Sequence, residues 1–328
     1  MNTALDHNRI TIDVHLTDTH SETLDEEIRS GLLASPRSLP TKYFYDDYGS
    51  ELFERICELP EYYQTRTEHA LLATYADDII HITGADELVE LGSGASTKTR
   101  VLLDAMAHVN QLQFYVPFDV SEGIVRRVAQ ELAAEYSCLR IHGVIGDFLA
   151  HMEHIPNGGK RLVAFLGGTL GNLKPDTAEA FLASVYNEMN SGDYFLLGIQ
   201  LITDIERLEA AYNDVSGLSA QFNKNILPVV HNLTGANFDP NAFEHVAIYN
   251  QPDHRIEMWL RSLCNQTITF PRLAWHLPLK AGESILTEIS TKYNRQLAEN
   301  VLTTAGFTLR EWHTDSQELL GLALAYKP

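Results

Sequence analysis

Cysteine is scarce in this chain of 328 residues, and the three present, Cys57, Cys138 and Cys264, stand far apart with no CxxC pair. That excludes a zinc ribbon or a vicinal redox couple and reads as reduced, structural thiols of a cytoplasmic protein. Basic charge is also in deficit: 24 Lys and Arg against 44 Asp and Glu give a formal charge of -20. Such a surface repels phosphate backbones and anionic lipid, so neither nucleic acid nor membrane is the expected partner, although a local basic groove stays compatible with the count. No apolar run is long enough to cross a bilayer, and residues 1–19 lack the apolar core of a secretion signal. Repeats and low-complexity tracts are missing too. Histidine is plentiful, at 14, and His151-Met152-Glu153-His154 has HxxH spacing. With no second cluster of ligand types beside it, a solvated turn is the expected reading and no metal is expected.

What is present is 45% hydrophobic and 21% charged, the composition of a folded protein with length enough for two domains. Thr23 and Glu26 make a capping box before Leu24, Ile28 and Leu32, which share one helical face. Residues 50–59 read as a second short helix, and Thr65 with Glu68 as the capping box of a third. From Asp86 the pattern becomes short apolar runs, at 87–91, 113–118, 139–145, 162–166 and 194–199, alternating with helical stretches at 97–107, 123–134 and 176–189. That alternation describes βαβ units, an α/β fold with a parallel sheet covered on both faces and a ligand site at its strand tips. The rhythm breaks after Ile199 for about eighty residues, with strand-like pieces at 247–249 and 256–260. It resumes with a helix at 296–305 and closing strands at 308–312 and 318–326.

The strand tips carry the chemistry. Gly92 and Gly94, in Glu90-Leu91-Gly92-Ser93-Gly94-Ala95-Ser96-Thr97-Lys98, follow an apolar strand directly, where backbone approaches a ligand closely. A dinucleotide site wants a third glycine where Thr97 stands and an acid about 20 residues on; the next strand-tip acid is Asp119, 27 residues after Gly92. An adenosyl cofactor without a pyrophosphate fits that departure better than a nicotinamide one. Asp119 suits the two ribose hydroxyls, Asp147 and Phe148 the adenine amino group and ring, and Lys98 the carboxylate of a methionine moiety. Each has an alternative: Asp119 and Asp147 as helix caps, Phe148 as core, Lys98 as a solvated surface cation. At the next tip, the turn from Gly167 to Leu173 suggests a tight backbone pass beside a reacting centre, with Asn172 either a polar contact or a left-handed turn residue.

These motifs, together with Tyr43-Phe44-Tyr45-Asp46-Asp47-Tyr48-Gly49-Ser50, Leu59-Pro60-Glu61-Tyr62-Tyr63 and Ala211-Tyr212-Asn213-Asp214, resemble the L-histidine Nα-methyltransferases of ergothioneine biosynthesis. The likeness covers nearly the whole chain. It implies a Rossmann-like class I domain over residues 66–202 and 292–328 that binds S-adenosylmethionine and releases S-adenosylhomocysteine. A second α+β domain, over 15–65 and 203–291, would bind the substrate, and residues 1–14 would form an N-terminal extension. The resemblance makes Gly92, Lys98, Asp119, Asp147, Phe148 and Gly167 cofactor contacts. Tyr62, Asn172 and Tyr212 hold the amino-acid end, with Asn172 and Tyr212 on the carboxylate; Tyr62 is also the catalytic candidate. Met258, Glu288, Ile289 and Ser290 line the side-chain pocket. In a strand Glu288 and Ser290 share one face, so a carboxylate and a hydroxyl can address the two nitrogens of an imidazole. The implied substrate is L-histidine and its mono- and dimethyl forms, handled by a cytoplasmic monomer. A related fungal branch methylates a prenylated tryptophan, whose indole has no use for that pair. The rivals are a nicotinamide oxidoreductase and a cofactor-sensing scaffold without chemistry.

Overall fold

Leu88 and Val89 sit in a run where all five residues are buried, so the run makes an inner strand of a sheet covered on both faces. In this computed structural model, which describes residues 9–16, 20–94, 96 and 98–328, the strands are β1 (Ile10–Val14), β2 (Glu87–Leu91), β3 (Phe114–Asp119), β4 (Arg140–Ile145), β5 (Arg161–Phe165), β6 (Tyr194–Gln200), β7 (Phe243–Asn250), β8 (Arg255–Ser262), β9 (Gln266–Phe270), β10 (Trp275–Leu279), β11 (Ser284–Thr291), β12 (Thr308–Thr314) and β13 (Leu320–Tyr326). The α-helices are α1 (His20–Leu33), α2 (Asp47–Cys57), α3 (Gln64–Thr83), α4 (Thr99–His108), α5 (Glu122–Glu135), α6 (Pro175–Glu188), α7 (Ile205–Tyr212), α8 (Leu218–Thr234) and α9 (Arg295–Thr304).

Eight strands form one sheet in the order β1-β4-β3-β2-β5-β6-β13-β12. The first six pair in parallel and the C-terminal hairpin closes the far edge antiparallel to β6. From β2 the chain steps outward through β3 and β4, then returns to β5 on the other side of β2. That reversal opens a crevice at the carboxyl ends of β2 and β5, the expected ligand position in a doubly wound sheet. The architecture is Rossmann-like. A separate apolar core joins α1, α2, α7 and α8 to the antiparallel sheet β11-β8-β7 and the hairpin β9–β10, drawing on Ile28, Phe44, Leu208, Phe222 and Met258. Two isolated bridges, Ser38–Leu286 and Leu201–Tyr293, run outside the main strands.

Several expectations need correction. Residues 10–14, expected within an N-terminal extension, form β1 and pair with β4, and Arg9 binds the carbonyls of Ala133, Tyr136 and Leu139. The alternation Ile10-Thr11-Ile12 was too short to be read as a strand by periodicity; β4 supplies the partner that makes it one. Residues 1–8 and 17–19, and Ala95 and Thr97 of the glycine loop, lie outside the described residues. The helix α1 begins at His20, which places Thr23 inside it instead of at its cap. At the start of α3 no side chain caps the helix: Thr65 donates to Cys57 Sγ, and Glu68 turns into the sheet. A buried carboxylate with an ammonium and a backbone N–H to bind outcompetes an exposed cap. The HxxH segment is a short helical turn whose His154 stacks on His15 with ring centroids 3.8 Å apart, so it is packed on one side. Among the described residues no group of three His, Cys, Asp or Glu is placed to hold a metal ion, and no helix is long and apolar enough to cross a membrane.

Candidate active site

The glycine loop is anchored from below and from the side. Glu90, buried in β2, accepts hydrogen bonds from Thr99 Oγ1 and Tyr115 OH, tying β2 to α4 and β3. Burial raises its carboxyl to about 7, against the pull of those two hydroxyls. Gly92 N donates to Phe118 O at 2.8 Å, which brings the loop over the tip of β3. At Gly92 the backbone has φ of 69°, and a side chain there would head toward the Phe148 ring, 3.9 Å from an added Cβ. Asp119 accepts from Gly94 N and Ser121 N, both at 2.9 Å. Burial raises its carboxyl, and the N–H groups of Gly94, Ser121 and Val120 act against that rise.

Asp147 accepts from Leu149 N at 2.9 Å, and its own N–H donates to His151 Nδ1. Phe148 is wedged edge-on between Phe165 and Phe181, both at 5.4 Å, so its ring is fixed beside the glycines. Asp119 and Asp147 thus brace their own loops and cap no helix, the N-terminus of α5 falling at Ser121, whereas Phe148 packs against the core as its alternative foresaw. For Lys98 the alternative fails. Its ammonium pairs with Glu68, which is only 2% exposed and also accepts from Gly167 N at 2.8 and 3.0 Å. Burial works against the charge on Lys98, but Glu68 holds its pKa above the ordinary value. Sequence reading missed Glu68 by assigning it to a cap. The available signal was Gly198 in β6, where an added Cβ would stand 2.1 Å from Glu68 Oε1.

The Gly167–Leu173 segment contains a short helical turn, Thr169–Asn172, packed against β11. Gly171 allows that approach: an added Cβ would lie 2.6 Å from Thr291 O. Asn172 Nδ2 donates to Glu288 Oε1 at 3.1 Å and to Ile289 O at 2.8 Å. A bulge between Leu286 and Glu288 sets the register so that Glu288 faces Met258 across the ladder, and Ser290 faces Ile256. Glu288, Ser290 and Met258 thus share a face, while Ile289 puts its side chain on the other and offers its carbonyl. Tyr212, at the end of α7, places its hydroxyl 2.8 Å from Ser290 Oγ and 3.1 Å from Gln200 Oε1. Tyr62 packs edge-on against Tyr212 and Phe53, and Tyr45 packs against Phe53 and Phe222. Burial raises the Tyr62, Tyr212 and Tyr45 phenols above their ordinary value, and Glu288 adds to each rise. Asp119 adds to that of Tyr45 as well.

A second residue escaped the sequence reading. Lys292 is fully buried and donates to Ser290 Oγ at 2.7 Å, to Tyr212 OH at 3.0 Å and to Gln200 Oε1. It continues the alternation 288, 290, 292, but Glu288 and Ser290 were singled out by the family resemblance, which named no role for Lys292. Burial lowers its ammonium to about 7 and raises the Glu288 carboxyl to about 7, each opposed by the other's charge. A cavity of about 520 Å³ nearby, lined by Tyr63, Arg66, Arg207 and Leu319, has none of these strand-tip groups.

The chain matches the sequence profile described as histidine-specific methyltransferase, SAM-dependent, over residues 24–327. It is 46% identical over 310 residues to histidine N-alpha-methyltransferase of Mycolicibacterium smegmatis, covering 94% of this chain and 97% of that one. With the protein of the same description from Mycobacterium tuberculosis it shares 44% identity over 320 residues, 97% of this chain and 100% of the relative. Ergothioneine biosynthesis protein 1 of Neurospora crassa is 28% identical over 289 residues, which span 84% of this chain and 32% of that longer one. A match along almost the entire length, on a Rossmann-like sheet with its glycine loop at the switch point, settles the family: the chain belongs to the histidine-specific, S-adenosylmethionine-dependent methyltransferases.

Proposed function

We propose that this chain methylates the α-amino nitrogen of L-histidine three times, giving hercynine and three molecules of S-adenosylhomocysteine, as a step of ergothioneine biosynthesis. The observation that carries the substrate assignment is the shared face of Glu288, Ser290 and Met258, where a carboxylate and a hydroxyl stand two residues apart beside an apolar wall. The crevice fits the cofactor: open backbone at Gly92, a fixed aromatic ring at Phe148, and carboxylates at two strand tips. Asp119 would take the ribose hydroxyls, Asp147 and Phe148 the adenine, and Lys98 with the Gly167 turn the methionine end.

The cofactor supplies an electrophilic methyl group on a sulfonium, so the chain has only to hold a neutral amine in line and keep water away. Tyr62 and Tyr45 stay protonated at neutral pH and act as neutral hydrogen-bonding groups instead of anionic bases. The amine loses its proton to solvent before each transfer, while the aromatic faces favour the growing methylammonium. Asn172 and Glu288, assigned to opposite ends of histidine, are bonded to each other here. Substrate entry exchanges that bond: Asn172 turns an N–H to the histidine carboxylate, and Glu288 is released to accept the imidazole N–H. We further assign a cytoplasmic monomer that also takes mono- and dimethylhistidine.

Mass spectrometry after incubation with S-adenosylmethionine and the twenty amino acids tests this reading. Gains of one to three methyl groups on histidine alone are expected. Gains on tryptophan, or binding without release of S-adenosylhomocysteine, would favour the fungal-type substrate or a sensing role. By calorimetry Glu288→Ala is expected to weaken histidine binding by about 1.5–3 kcal/mol, the worth of a hydrogen bond to a charged group, with cofactor binding unchanged. Unchanged histidine affinity removes Glu288 from the imidazole.

A further inference from the structure

Glu68 has no part in the scheme above, yet it is the buried carboxylate behind the methionine end of the cofactor crevice. It projects from α3 and is 2% exposed. Both of its oxygens accept from Gly167 N, at 2.8 and 3.0 Å, and Oε2 also accepts from the Lys98 ammonium. Two glycines make the room. A Cβ on Gly198 would stand 2.1 Å from Glu68 Oε1, and one on Gly167, where φ is 81°, would stand 3.4 Å from Lys98 Nζ. The ammonium therefore lies over the tip of β5. We infer that Glu68 is a positioning residue for the cofactor: it fixes the Lys98 ammonium at that tip, so that the carboxylate of the methionine end meets a cation already in place. The inference rests on the assignment of Lys98 to that carboxylate.

An ammonium has three donors. One goes to Glu68, and among the described residues no other acceptor takes one. The Lys98 side chain keeps 20% of its surface exposed and that of Glu68 only 3%, so the cation is on the open side of the pair and the carboxylate behind it. An incoming carboxylate then finds two free N–H groups on a side chain that is already ordered, and binding does not have to carry the cost of ordering it. Charge matters as well as direction. The titratable groups that face Lys98 are Glu68 from α3, Glu90 from β2 and Cys57 from α2; burial works to strip its proton, and Glu68 does most to keep it. The isosteric Glu68→Gln keeps an oxygen for Gly167 N but turns an amide NH2 toward the ammonium. It removes the anchor of Lys98 while sparing the bond to the turn.

The test compares S-adenosylhomocysteine with 5′-methylthioadenosine, which has the same adenosine and sulfur but no amino-acid end. Calorimetry gives the ratio of their affinities, and damage shared by both ligands cancels in it. Lys98→Met is expected to lower that ratio by about tenfold or more, the worth of a hydrogen bond to a charged group. Glu68→Gln is expected to lower it by about threefold to tenfold, and to add nothing further in the Lys98→Met background. Between pH 6 and 8.5 the ratio in Glu68→Gln is expected to fall relative to wild type, as Lys98 loses its proton. Glu68→Asp, which keeps the charge, is expected to follow the wild-type profile; the ligand's own amino group titrates alike in every variant. An unchanged or raised ratio in Glu68→Gln overturns the inference, since it leaves Glu68 a brace of the fold or a competitor for Lys98. A Glu68→Asp profile that falls as steeply as that of Glu68→Gln overturns it too. An unchanged ratio in Lys98→Met instead removes Lys98 from the cofactor carboxylate, and the inference with it.

Discussion

At the scale of single residues, the site is built from groups whose neighbours decide their protonation. Glu288 is the plainest case, its carboxyl raised to about 7 by burial. A carboxyl whose folded pKa exceeds its ordinary 4.5 binds its proton more tightly in the fold than in the unfolded chain. Its contribution to stability is therefore present below about 4.5 and is lost as the pH rises through about 7. Glu288→Gln is accordingly expected to raise the Tm relative to wild type at pH 8, with the gap closing as the pH falls toward 4.5; a gap constant with pH would contradict the burial. The Tyr62 phenol is held neutral by burial, with the charge of Glu288 adding to the rise. Tyr62→Phe is expected to slow methyl transfer by about tenfold or more, seen as separate rates for the three steps, and wild-type rates at every step would remove the hydroxyl from the chemistry.

At the scale of elements, the turn Thr169–Asn172 and the strand β11 form the joint on which the substrate end depends. Gly171→Ala would push a methyl group against Thr291 O, where an added Cβ has only 2.6 Å. The expected cost is about 1–3 kcal/mol in thermal denaturation, with a raised KM for histidine. A rise in KM for the cofactor alone would place the strain on the wrong strand. The βα units were legible because each strand is a short apolar run ended by a polar tip, and Asp119 and Asp147 stand at such tips in both readings. The hairpin β9–β10 and the strand β1 were not, since a short strand declares itself only through its partner. Glu68 was misread for a related reason: Thr65 and Glu68 have the spacing of a capping box, and nothing local reveals that Lys98 and Gly167 wait across the fold. Lys292 differs, because it lies on the alternation of Glu288 and Ser290, two residues on, but the resemblance that singled out those two did not extend to it.

At the scale of the whole molecule, the formal charge of -20 opposes compaction. Salt screens that repulsion, since the Debye length falls to about 10 Å at 0.1 M. The Tm is therefore expected to rise between about 0.05 and 0.5 M sodium chloride in differential scanning calorimetry; a fall would mean that attractive pairs such as Lys98–Glu68 outweigh the net repulsion. Finally, the bridge between Leu201 and Tyr293 has a mechanical meaning. There the chain leaves the large sheet and re-enters it, with Ile202 N bound to Tyr293 O and Tyr293 N to Gln200 O. Gln200 and Lys292 flank this seam like stitches in the spine of a book. Any opening of the covers about that spine sweeps the distant pages through the widest arc and leaves the inner margin almost still, and the inner margin is where we propose that the imidazole is read.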